Sequence, residues 1–380
     1  MKKRDILSQK LKGITIPFND TKVLKPVFFN LRREKDRDKV VTLITQRQII
    51  TVVDSYEDQL RELLAVEEPH VLANSLKFNA RLVKFSTGLT IGEWVYFPWR
   101  AALVHILGKS KYHKLRISRN FNLILPKEQR RFETARIGVA GLNVGNSAAI
   151  CIALEGGTKR LMKFADNDVL SLSNLNRFNA SLAELGMNKA VLSAYQVYEI
   201  DPYANLSVFS SGITPQNIDR FLLRPKIDVL IEEMDNLPLK VAIREVARKN
   251  RIPVIMVTGN GAGLILDVER FDQKPNSKLL NGYLPQRVFE IAKDPNRIKN
   301  LSFQKRILLT RNFMGKQLLV KRLQNSFLQV GKSLAGIPQI AEASYLRGAV
   351  LVYITRQIIT GGKVPSGRYH IQLENYLKKH

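Results

Sequence analysis

The segment that most constrains the fold is residues 137–145, with the sequence Ile-Gly-Val-Ala-Gly-Leu-Asn-Val-Gly. An apolar run that enters a turn marked by Gly141 and Gly145 is typical of a buried strand that leads into a helix. Asp166 follows the next apolar run, and an acid about 20 residues after such a turn stands at the end of the second strand. This order of strand, turn, helix, strand and acid predicts a nucleotide pocket.

Apolar runs and helical patterns alternate through the middle of the chain. The predicted strands are residues 137–140, 161–165, 206–209, 229–232 and 253–257, and the predicted helices are residues 147–155, 189–200, 216–222 and 237–249. Short apolar runs separated by helices are typical of parallel sheets that are covered on both faces. We therefore predict an α/β fold with a doubly wound, mostly parallel, Rossmann-like sheet, whose ligands lie at the carboxyl ends of the strands.

The flanks of this unit differ from it in pattern. We divide the chain into an N-terminal accessory domain (1–110, an α+β extension), a nucleotide-binding unit (111–280) and a basic helical C-terminal region (281–380). In the first domain, residues 40–45 predict a strand, and the aromatic-rich stretch 92–99 predicts a core or a seam between domains. In the last, residues 341–360 predict a long helix that ends at Gly361.

The formal net charge of +27 is unevenly distributed. Residues 1–130 carry a net charge of +12 and residues 281–380 a net charge of +13, which leaves +2 for the residues between them. Basic flanks attract polyanions such as nucleic acid, an anionic membrane surface or an acidic protein, although a solvated basic surface needs no partner. The basic residues do not form a recognisable nucleic-acid-binding motif, so a nucleic-acid partner is possible but unsupported.

Composition excludes several kinds of site. The single cysteine, Cys151, rules out disulfides within the chain and cysteine-rich zinc sites, and it lies in an apolar segment typical of a buried structural thiol. No uncharged apolar run reaches the roughly 18 residues of a membrane-spanning helix, and the N-terminus has no signal-peptide core. We therefore expect a cytoplasmic protein with no membrane span and no zinc.

The glycine turn has two glycines where a dinucleotide fingerprint has three. Asn143 or Asn146 stands where a further glycine is expected, and asparagine tolerates left-handed backbone better than most residues. The turn can therefore approach a phosphate, or it can be a purely structural strand–turn–helix. Asp166 also has two interpretations, since its carboxylate can accept hydrogen bonds from ribose hydroxyls or can begin a turn.

Residues downstream add cations and another acid. Arg177 and Lys189 suit the phosphates of ATP, and Asn174 can bind a phosphate or orient a carboxylate. Lys189 opens a predicted helix, where the helix dipole disfavours a cation unless an anion is bound. Asp235 follows the fourth predicted strand, where a carboxylate can hold Mg²⁺ or can cap the next helix.

Taken in order, these motifs resemble the ThiF/MoeB/HesA family of adenylyltransferases, whose adenylating domain is shared with ubiquitin-activating enzymes. The matching motifs are Asp166-x-Asp168-x-Val, Ser173-Asn174-Leu-x-Arg177, Gly186-x-x-Lys189 and Asp235-Asn236. The resemblance covers residues 112–272. The Tyr96-Phe-Pro-Trp99 element and residues 267–272 also look like a MoeY-like bacterial branch of the family.

The resemblance implies a set of site residues. ATP would be bound by Gly141, Asn143, Gly145, Asp166, Asp168, Asn174, Arg177 and Lys189, with Asp166 on the ribose and Asn174, Arg177 and Lys189 on the phosphates. Asp235 would hold Mg²⁺ and would act in catalysis with Arg177, Lys189 and Arg119. The family has an Arg-x-x-Arg element whose second arginine reaches a phosphate in the partner subunit. Arg119 fits that position, which implies a homodimer, although a basic surface turn would look the same.

Three departures from the family limit what the resemblance implies. The glycine turn is degenerate, Phe178 replaces a usual glutamine, and neither paired Cys-x-x-Cys motifs nor a catalytic cysteine can exist here. The leading hypothesis is therefore ATP-dependent adenylation of a carboxylate, from a peptide or a ubiquitin-like or sulfur-carrier protein, with release of pyrophosphate and no thioester on this chain. The alternatives are a non-catalytic nucleotide- or partner-binding module on a degenerate adenylation fold and an NAD-dependent oxidoreductase.

Overall fold

The computed structural model of the protein describes residues 21–72, 75–83 and 88–373. In these ranges the chain forms a four-stranded sheet near its N-terminus and a seven-stranded sheet in the remainder. The strands are β1 (Val27–Phe29), β2 (Thr51–Asp54), β3 (Glu93–Phe97), β4 (Ala102–Ile106), β5 (Arg136–Ala140), β6 (Leu161–Ala165), β7 (Leu206–Phe209), β8 (Val229–Glu232), β9 (Val254–Asn260), β10 (Gly263–Glu269) and β11 (Gly367–Ile371).

Helices connect the strands and cover both faces of the larger sheet. The α-helices are α1 (Glu34–Thr45), α2 (Tyr56–Glu67), α3 (Pro69–Leu72), α4 (Ser75–Leu82), α5 (Lys109–Arg116), α6 (Pro126–Glu133), α7 (Val144–Leu154), α8 (Lys189–Ile200), α9 (Ile218–Leu223), α10 (Leu237–Lys249), α11 (Gln286–Ala292), α12 (Pro295–Lys299), α13 (Phe303–Met314), α14 (Lys321–Gln329) and α15 (Ala341–Thr360). Short 3₁₀ turns occur at Pro98–Arg100, Ser118–Asn120, Leu172–Asn174, Leu182–Glu184, Leu279–Gly282 and Lys316–Leu318.

The larger sheet has the strand order β11-β10-β9-β8-β5-β6-β7. Strands β5 to β9 pair in parallel, whereas β10 and β11 add an antiparallel edge. The chain proceeds outward from β5 through β6 to β7 on one side, and through β8 and β9 on the other. The switch point between β5 and β8 leaves a crevice at the carboxyl ends of these strands, where such folds bind ligands. The predicted doubly wound, mostly parallel sheet is confirmed.

The larger sheet has a mainly apolar core on both faces, as expected for strands that are mostly apolar along their length. Val139 and Phe164 lie side by side on β5 and β6, and both are fully buried. Helix α15 packs closely against α7, because Gly348 has no side chain and its Cα lies against Ser147. This contact brings the C-terminal helix over the beginning of α7, directly beside the switch point.

Many predicted bounds agree with the structure. The strands predicted at 161–165, 206–209 and 229–232 and the helices predicted at 189–200, 237–249 and 341–360 have the observed limits. The strand predicted at 40–45 is wrong, because these residues form the second half of α1. The charged residues before it supply the first turns of the helix, and only Val40 of this run is buried against the small sheet.

The aromatic-rich stretch 92–99 forms both a core and a seam. Trp94, Tyr96 and Phe97 are buried in the smaller sheet. Trp99 stacks on Tyr195 of α8, with ring centroids 4.3 Å apart and planes 4° from parallel. Stacked aromatic pairs contribute about 0.5–1.5 kcal/mol beyond their buried area, so this contact helps to fix the N-terminal unit against the larger sheet. In the described ranges, no helix is both long and apolar enough to cross a bilayer.

Candidate functional site

A cavity of about 240 Å³ opens at the switch point. We call it the nucleotide cavity, and it is lined by Gly141, Asn143, Ala165, Asp166, Asn167, Asp168, Gly212, Ile213, Glu233, Met234, Asp235, Asn236 and Leu239. These residues come from the loops that follow β5, β6, β7 and β8, so the sheet brings together segments that are far apart in the sequence. The site lies where the sequence predicts ligands, beyond the carboxyl ends of parallel strands.

The glycine turn between β5 and α7 depends on Gly141. This residue has φ +89°, and a Cβ placed on it would lie 2.4 Å from the carbonyl carbon of Glu233. Gly145 does not line the nucleotide cavity; a Cβ there would lie 2.7 Å from Val139 Cγ1, so this glycine allows α7 to pack on β5. Asn143 is right-handed, with φ −75°. The left-handed asparagine considered for this turn is therefore not observed, and Gly141 alone supplies that conformation.

The two asparagines of the turn have different surroundings. Asn146 is buried and donates hydrogen bonds to Ser193 Oγ at 2.9 Å and Gln196 Oε1 at 2.7 Å, which tie α7 to α8. Asn143 lines the nucleotide cavity, and its buried Oδ1 has no hydrogen-bond partner in the described part of the chain. A buried polar atom without a partner is costly, which favours a ligand at this position.

Asp166 takes part in a turn and also lines the nucleotide cavity. Its Oδ2 accepts a hydrogen bond from the Leu142 N–H at 2.5 Å and its Oδ1 accepts one from the Asp168 N–H at 2.8 Å. Burial raises the pKa of Asp166, while both N–H groups oppose that shift. The carboxylate therefore closes a turn and also lines the nucleotide cavity, where each oxygen keeps a lone pair for a ligand hydroxyl.

Lys189 is buried at the first position of α8, as the sequence predicts. Its Nζ lies 3.2 Å from Asp168 Oδ2, and its N–H donates to the Asp168 carbonyl at 2.9 Å. Asn188 caps the helix by accepting hydrogen bonds from the N–H groups of Ala190 and Val191. The exposed carboxylate of Asp168 thus offsets part of the conflict between the lysine and the helix dipole.

Arg177 is partly buried and does not itself line the nucleotide cavity. Its Nη1 donates to the Ser173 carbonyl at 3.0 Å and to Asn176 Oδ1 at 2.8 Å, whereas its buried Nε has no partner among the described residues. Burial lowers the pKa of Arg177, and the nearby negative charge of Asp235 opposes this shift. Asn174 does not line the cavity, since its Oδ1 accepts the Ser171 N–H at 3.1 Å within a short turn.

The helix α10 is capped by Asn236 and not by Asp235. Asn236 is the N-cap of α10 and its side chain accepts a hydrogen bond from the Leu239 N–H at 3.0 Å. Asp235 is exposed and lines the nucleotide cavity. Across residues 21–72, 75–83 and 88–373, no three His, Cys, Asp or Glu side chains cluster as a metal site. A Mg²⁺ bound here would therefore take most of its ligands from phosphates and water, a common arrangement for this ion.

Arg119 lies outside the nucleotide cavity. It is exposed in the short turn Ser118–Asn120. Arg116, the first arginine of the same motif, is structural, because its guanidinium donates to the Ala153 carbonyl at 2.6 Å and lies 3.2 Å from Asp201 Oδ2. The described structure thus separates Arg119 from the other predicted site residues.

Sequence reasoning missed Arg347 and Glu233, which both line a second cavity beside the nucleotide cavity. Arg347 is 4% exposed on the buried face of α15, together with Leu351 and Ile354. Arg347 lies four residues before Leu351 and seven before Ile354, so the sequence places all three on one face of the helix. This spacing was the available signal for a functional residue, because a cation on a buried face needs a partner. Glu233 Oε1 accepts the Val257 N–H at 2.7 Å, and burial raises the pKa of this carboxyl to about 8.

Three curated relatives resemble the chain. The uncharacterized protein MT1398 of Mycobacterium tuberculosis (strain CDC 1551 / Oshkosh) is 33% identical over 354 residues, which are 91% of this chain and 46% of that protein. The tRNA threonylcarbamoyladenosine dehydratase of Escherichia coli (strain K12) is 29% identical over 170 residues, or 44% of this chain and 61% of that one. A protein of Porphyra purpurea described as a probable molybdopterin-synthase adenylyltransferase is 26% identical over 130 residues, or 33% of each chain.

The chain spans less than two thirds of the length of each of these relatives. The ThiF family model matches residues 117–295. This range contains β5 to β10 and every residue that lines the nucleotide cavity. The core of this chain is therefore a ThiF family domain.

Proposed function

We propose that this chain is an ATP-dependent adenylyltransferase, which activates a carboxylate as an acyl-adenylate without forming a thioester on itself. The observation that carries the proposal is that three carboxylates, Asp166, Asp168 and Asp235, line one cavity and have two cations beside them. Lys189 pairs with Asp168, and Arg177 is close enough to Asp235 for the charge of that carboxylate to affect its pKa. A redox cofactor would not need this set of groups, whereas a triphosphate chain and a metal ion would.

In this proposal each wall of the nucleotide cavity has a separate task. Asp166 accepts hydrogen bonds from the ribose hydroxyls, and the apolar Ile213 and Leu239 flank the base. Lys189 and Arg177 neutralise phosphate oxygens, as a buried ammonium and a guanidinium can. Arg177 is suited to this because its Nε has no acceptor among the described residues.

The reaction needs positioning more than covalent help from the protein. A carboxylate oxygen of the substrate attacks the α-phosphorus, the bond from phosphorus to the bridging oxygen breaks, and pyrophosphate leaves with that electron pair. Lys189 and Arg177 stabilise the charge that moves onto the leaving group. Asp235 would hold a Mg²⁺, which supplies further charge neutralisation when it is bound to the phosphates.

The relatives support the general activity but suggest different substrates. One is named for adenylyl transfer to molybdopterin synthase, a protein, and another for the dehydration of a modified tRNA base. We favour the carboxyl end of a peptide or of a ubiquitin-like or sulfur-carrier protein, as the sequence motifs imply. We also propose a homodimer, because Arg119 can serve a nucleotide cavity only if it reaches that of a second subunit.

Exchange of labelled pyrophosphate into ATP, measured with candidate carboxylates, tests this activity. The wild-type chain should catalyse exchange, and Arg177→Ala and Lys189→Ala should each lower the rate by about 10²–10³. Arg61→Ala is the matched control, since Arg61 forms an exposed i, i+4 pair with Glu57 on α2. Exchange at wild-type rates in both site variants would refute the assigned roles.

A second candidate function is a nucleotide-binding module without turnover. The observation in its favour is that the Arg177 Nη1 and the Asn174 Oδ1 are already bonded within their own loop. Such a module would bind a non-hydrolysable ATP analogue but would exchange no pyrophosphate with any carboxylate. The ratio of binding to exchange therefore separates the two candidates.

A further inference from the structure

A second cavity of about 150 Å³ opens beside the nucleotide cavity and shares Asn143, Glu233, Met234 and Asp235 with it. Its outer walls come from the C-terminal region of the chain. The apolar part of its lining includes Met256, Phe313, Met314, Ile337, Pro338 and Ile340. A cavity of this volume can hold a group of about the size of a benzene ring, and the apolar part of the lining suits an apolar group. The second cavity therefore offers room for one apolar side chain next to the nucleotide.

Two cations line this second cavity: Lys240, whose Nζ pairs with Glu232 Oε1 at 3.1 Å, and Arg347. The Nε of Arg347 donates to the Ala343 carbonyl at 3.0 Å and its Nη2 donates to Ser344 Oγ at 2.8 Å, so two of its three nitrogens hold it against its own helix. Its Nη1 lies against Gly259, where an added Cβ would come within 2.8 Å of it. Within the ranges that the structure describes, no acceptor is bonded to this Nη1 and no carboxylate forms an ion pair with Arg347.

Glu233 lines the same cavity as Arg347 but forms no ion pair with it in the described part of the chain. Burial lowers the pKa of Arg347, with the charge of Glu233 opposing the shift and that of Arg177 adding to it. Glu233 instead accepts the Val257 N–H, and burial raises the pKa of its carboxyl to about 8. The charge of Glu233 thus reaches Arg347, but no hydrogen bond from the described residues occupies the Nη1, which is therefore available to an anion in the second cavity.

We propose that Arg347 holds the reacting carboxylate of an acyl substrate whose terminal residue carries an apolar side chain, and that the second cavity receives that side chain. This inference rests on the proposed function and adds the substrate class to it. The anion occupies the free Nη1 of Arg347, beside the phosphates, while the apolar group contacts Phe313, Met314 and Ile337. The site thus selects a carboxylate with an apolar end over one that ends in glycine.

Ligand-observed NMR with three small probes tests this selection without requiring turnover. The probes are N-acetyl-Ala-Leu, its C-terminal amide and N-acetyl-Ala-Gly, each added to the full chain saturated with a non-hydrolysable ATP analogue and Mg²⁺. We expect the leucine acid to bind about 30-fold more tightly than its amide, because the amide offers no charge to Arg347. We expect it to bind about tenfold more tightly than the glycine acid, because glycine leaves the apolar space empty.

Variants locate the anion contact on Arg347. Arg347→Met should abolish the preference for the acid over the amide and leave binding of the ATP analogue unchanged, and Arg347→Lys should restore part of that preference. Gly259→Ala should weaken acid binding as well, because its methyl group would push the guanidinium aside. Arg356→Met is the matched control on the same helix, since Arg356 pairs with Glu155 at 3.1 Å away from the cavity.

Three results would overturn the proposal: equal binding of acid and amide by the wild-type chain, equal binding of the leucine and glycine acids, or binding of no probe at all. Loss of ATP-analogue binding in Arg347→Met would also overturn it, because Arg347 would then serve the phosphates. Failure of the proposed function is a different observation, namely no binding of the ATP analogue by the wild-type chain or no pyrophosphate exchange with a carboxylate that binds.

Discussion

Lys189 and Asp168 meet at the edge of the nucleotide cavity, with Nζ 3.2 Å from Oδ2. The lysine side chain is 6% exposed and the aspartate side chain 61% exposed, so a buried cation is held in place by an accessible anion. A backbone hydrogen bond joins the same two residues, since the Lys189 N–H donates to the Asp168 carbonyl at 2.9 Å. This pair links the loop after β6 to the first turn of α8 and holds the ammonium beside Asp168, which lines the cavity.

The first prediction concerns this pair. Asp168→Asn should lower the free energy of unfolding by no more than about 1 kcal/mol, because the ion pair is exposed on one side. It should lower affinity for an ATP analogue several-fold, since Lys189 loses the group that orients it. Urea unfolding and calorimetric titration measure the two quantities. Unchanged affinity together with a large loss of stability would show that the pair is only structural.

The second prediction concerns the glycine turn. Gly141→Ala should destabilise the fold by about 2 kcal/mol or more, because it combines an unfavourable positive φ with a clash against the Glu233 backbone. Gly88→Ala is the matched control, since Gly88 has φ +116° but no atom within 4 Å of an added Cβ. If urea unfolding gives the same loss for both variants, the close approach of the two loops contributes nothing.

The third prediction is a dependence of stability on pH. The pKa of a free glutamate is about 4.3, whereas that of Glu233 in the folded chain is raised to about 8. Between these values the unfolded chain has lost the proton and the folded chain has kept it, so Glu233 makes the fold less stable as pH rises, with no further loss above pH 8. Glu233→Gln should therefore gain stability relative to wild type from pH 5 to pH 8. Urea unfolding at several pH values measures this difference, and a constant difference would contradict it.

The fourth prediction concerns the second subunit. Arg119 is exposed beside the apolar side chains of Phe121, Leu123 and Leu125, of which Leu123 is 85% exposed. We expect light scattering to give twice the chain mass and Leu123→Arg to give a monomer. Arg119→Ala and Arg177→Ala should each be inactive in exchange. Mixed together they should recover about a quarter of wild-type activity, because half of the dimers would contain one intact shared site.

No recovery of activity in the mixture, from variants that do exchange subunits, would place Arg119 outside the site. The control is a mixture of Arg177→Ala with Lys189→Ala. Both of these residues belong to the same subunit's cavity, so that mixture should stay inactive.

The central sheet could be predicted from the sequence because local signals and tertiary environment agree there. Residues 161–165 form a short run that is apolar except for Lys163 and is followed by polar turn residues, and they form a strand with every residue buried. Residues 40–45 carry the same apolar signal, yet they continue a helix that begins in the charged run before them. An apolar run of this length does not distinguish the two structures when one face remains exposed.

The site could be predicted only where its residues follow strands in the recognised order. Asp166 and Asp235 each lie just beyond a strand, so the topology of the sheet brings them to one edge. Arg347 could not be placed in the same way, since it lies more than a hundred residues later on a helix whose position depends on packing against α7. Asp235 was ambiguous as a capping residue because Asn236, its neighbour, caps equally well.

Calorimetric titration of the full chain with a non-hydrolysable ATP analogue and Mg²⁺ tests the central claim most directly. We predict one binding site per chain and a loss of affinity of at least about tenfold in both Asp166→Asn and Arg177→Ala, with Arg61→Ala binding as wild type does. An absence of binding, or wild-type affinity in both site variants, would contradict a nucleotide site at the switch point between β5 and β8.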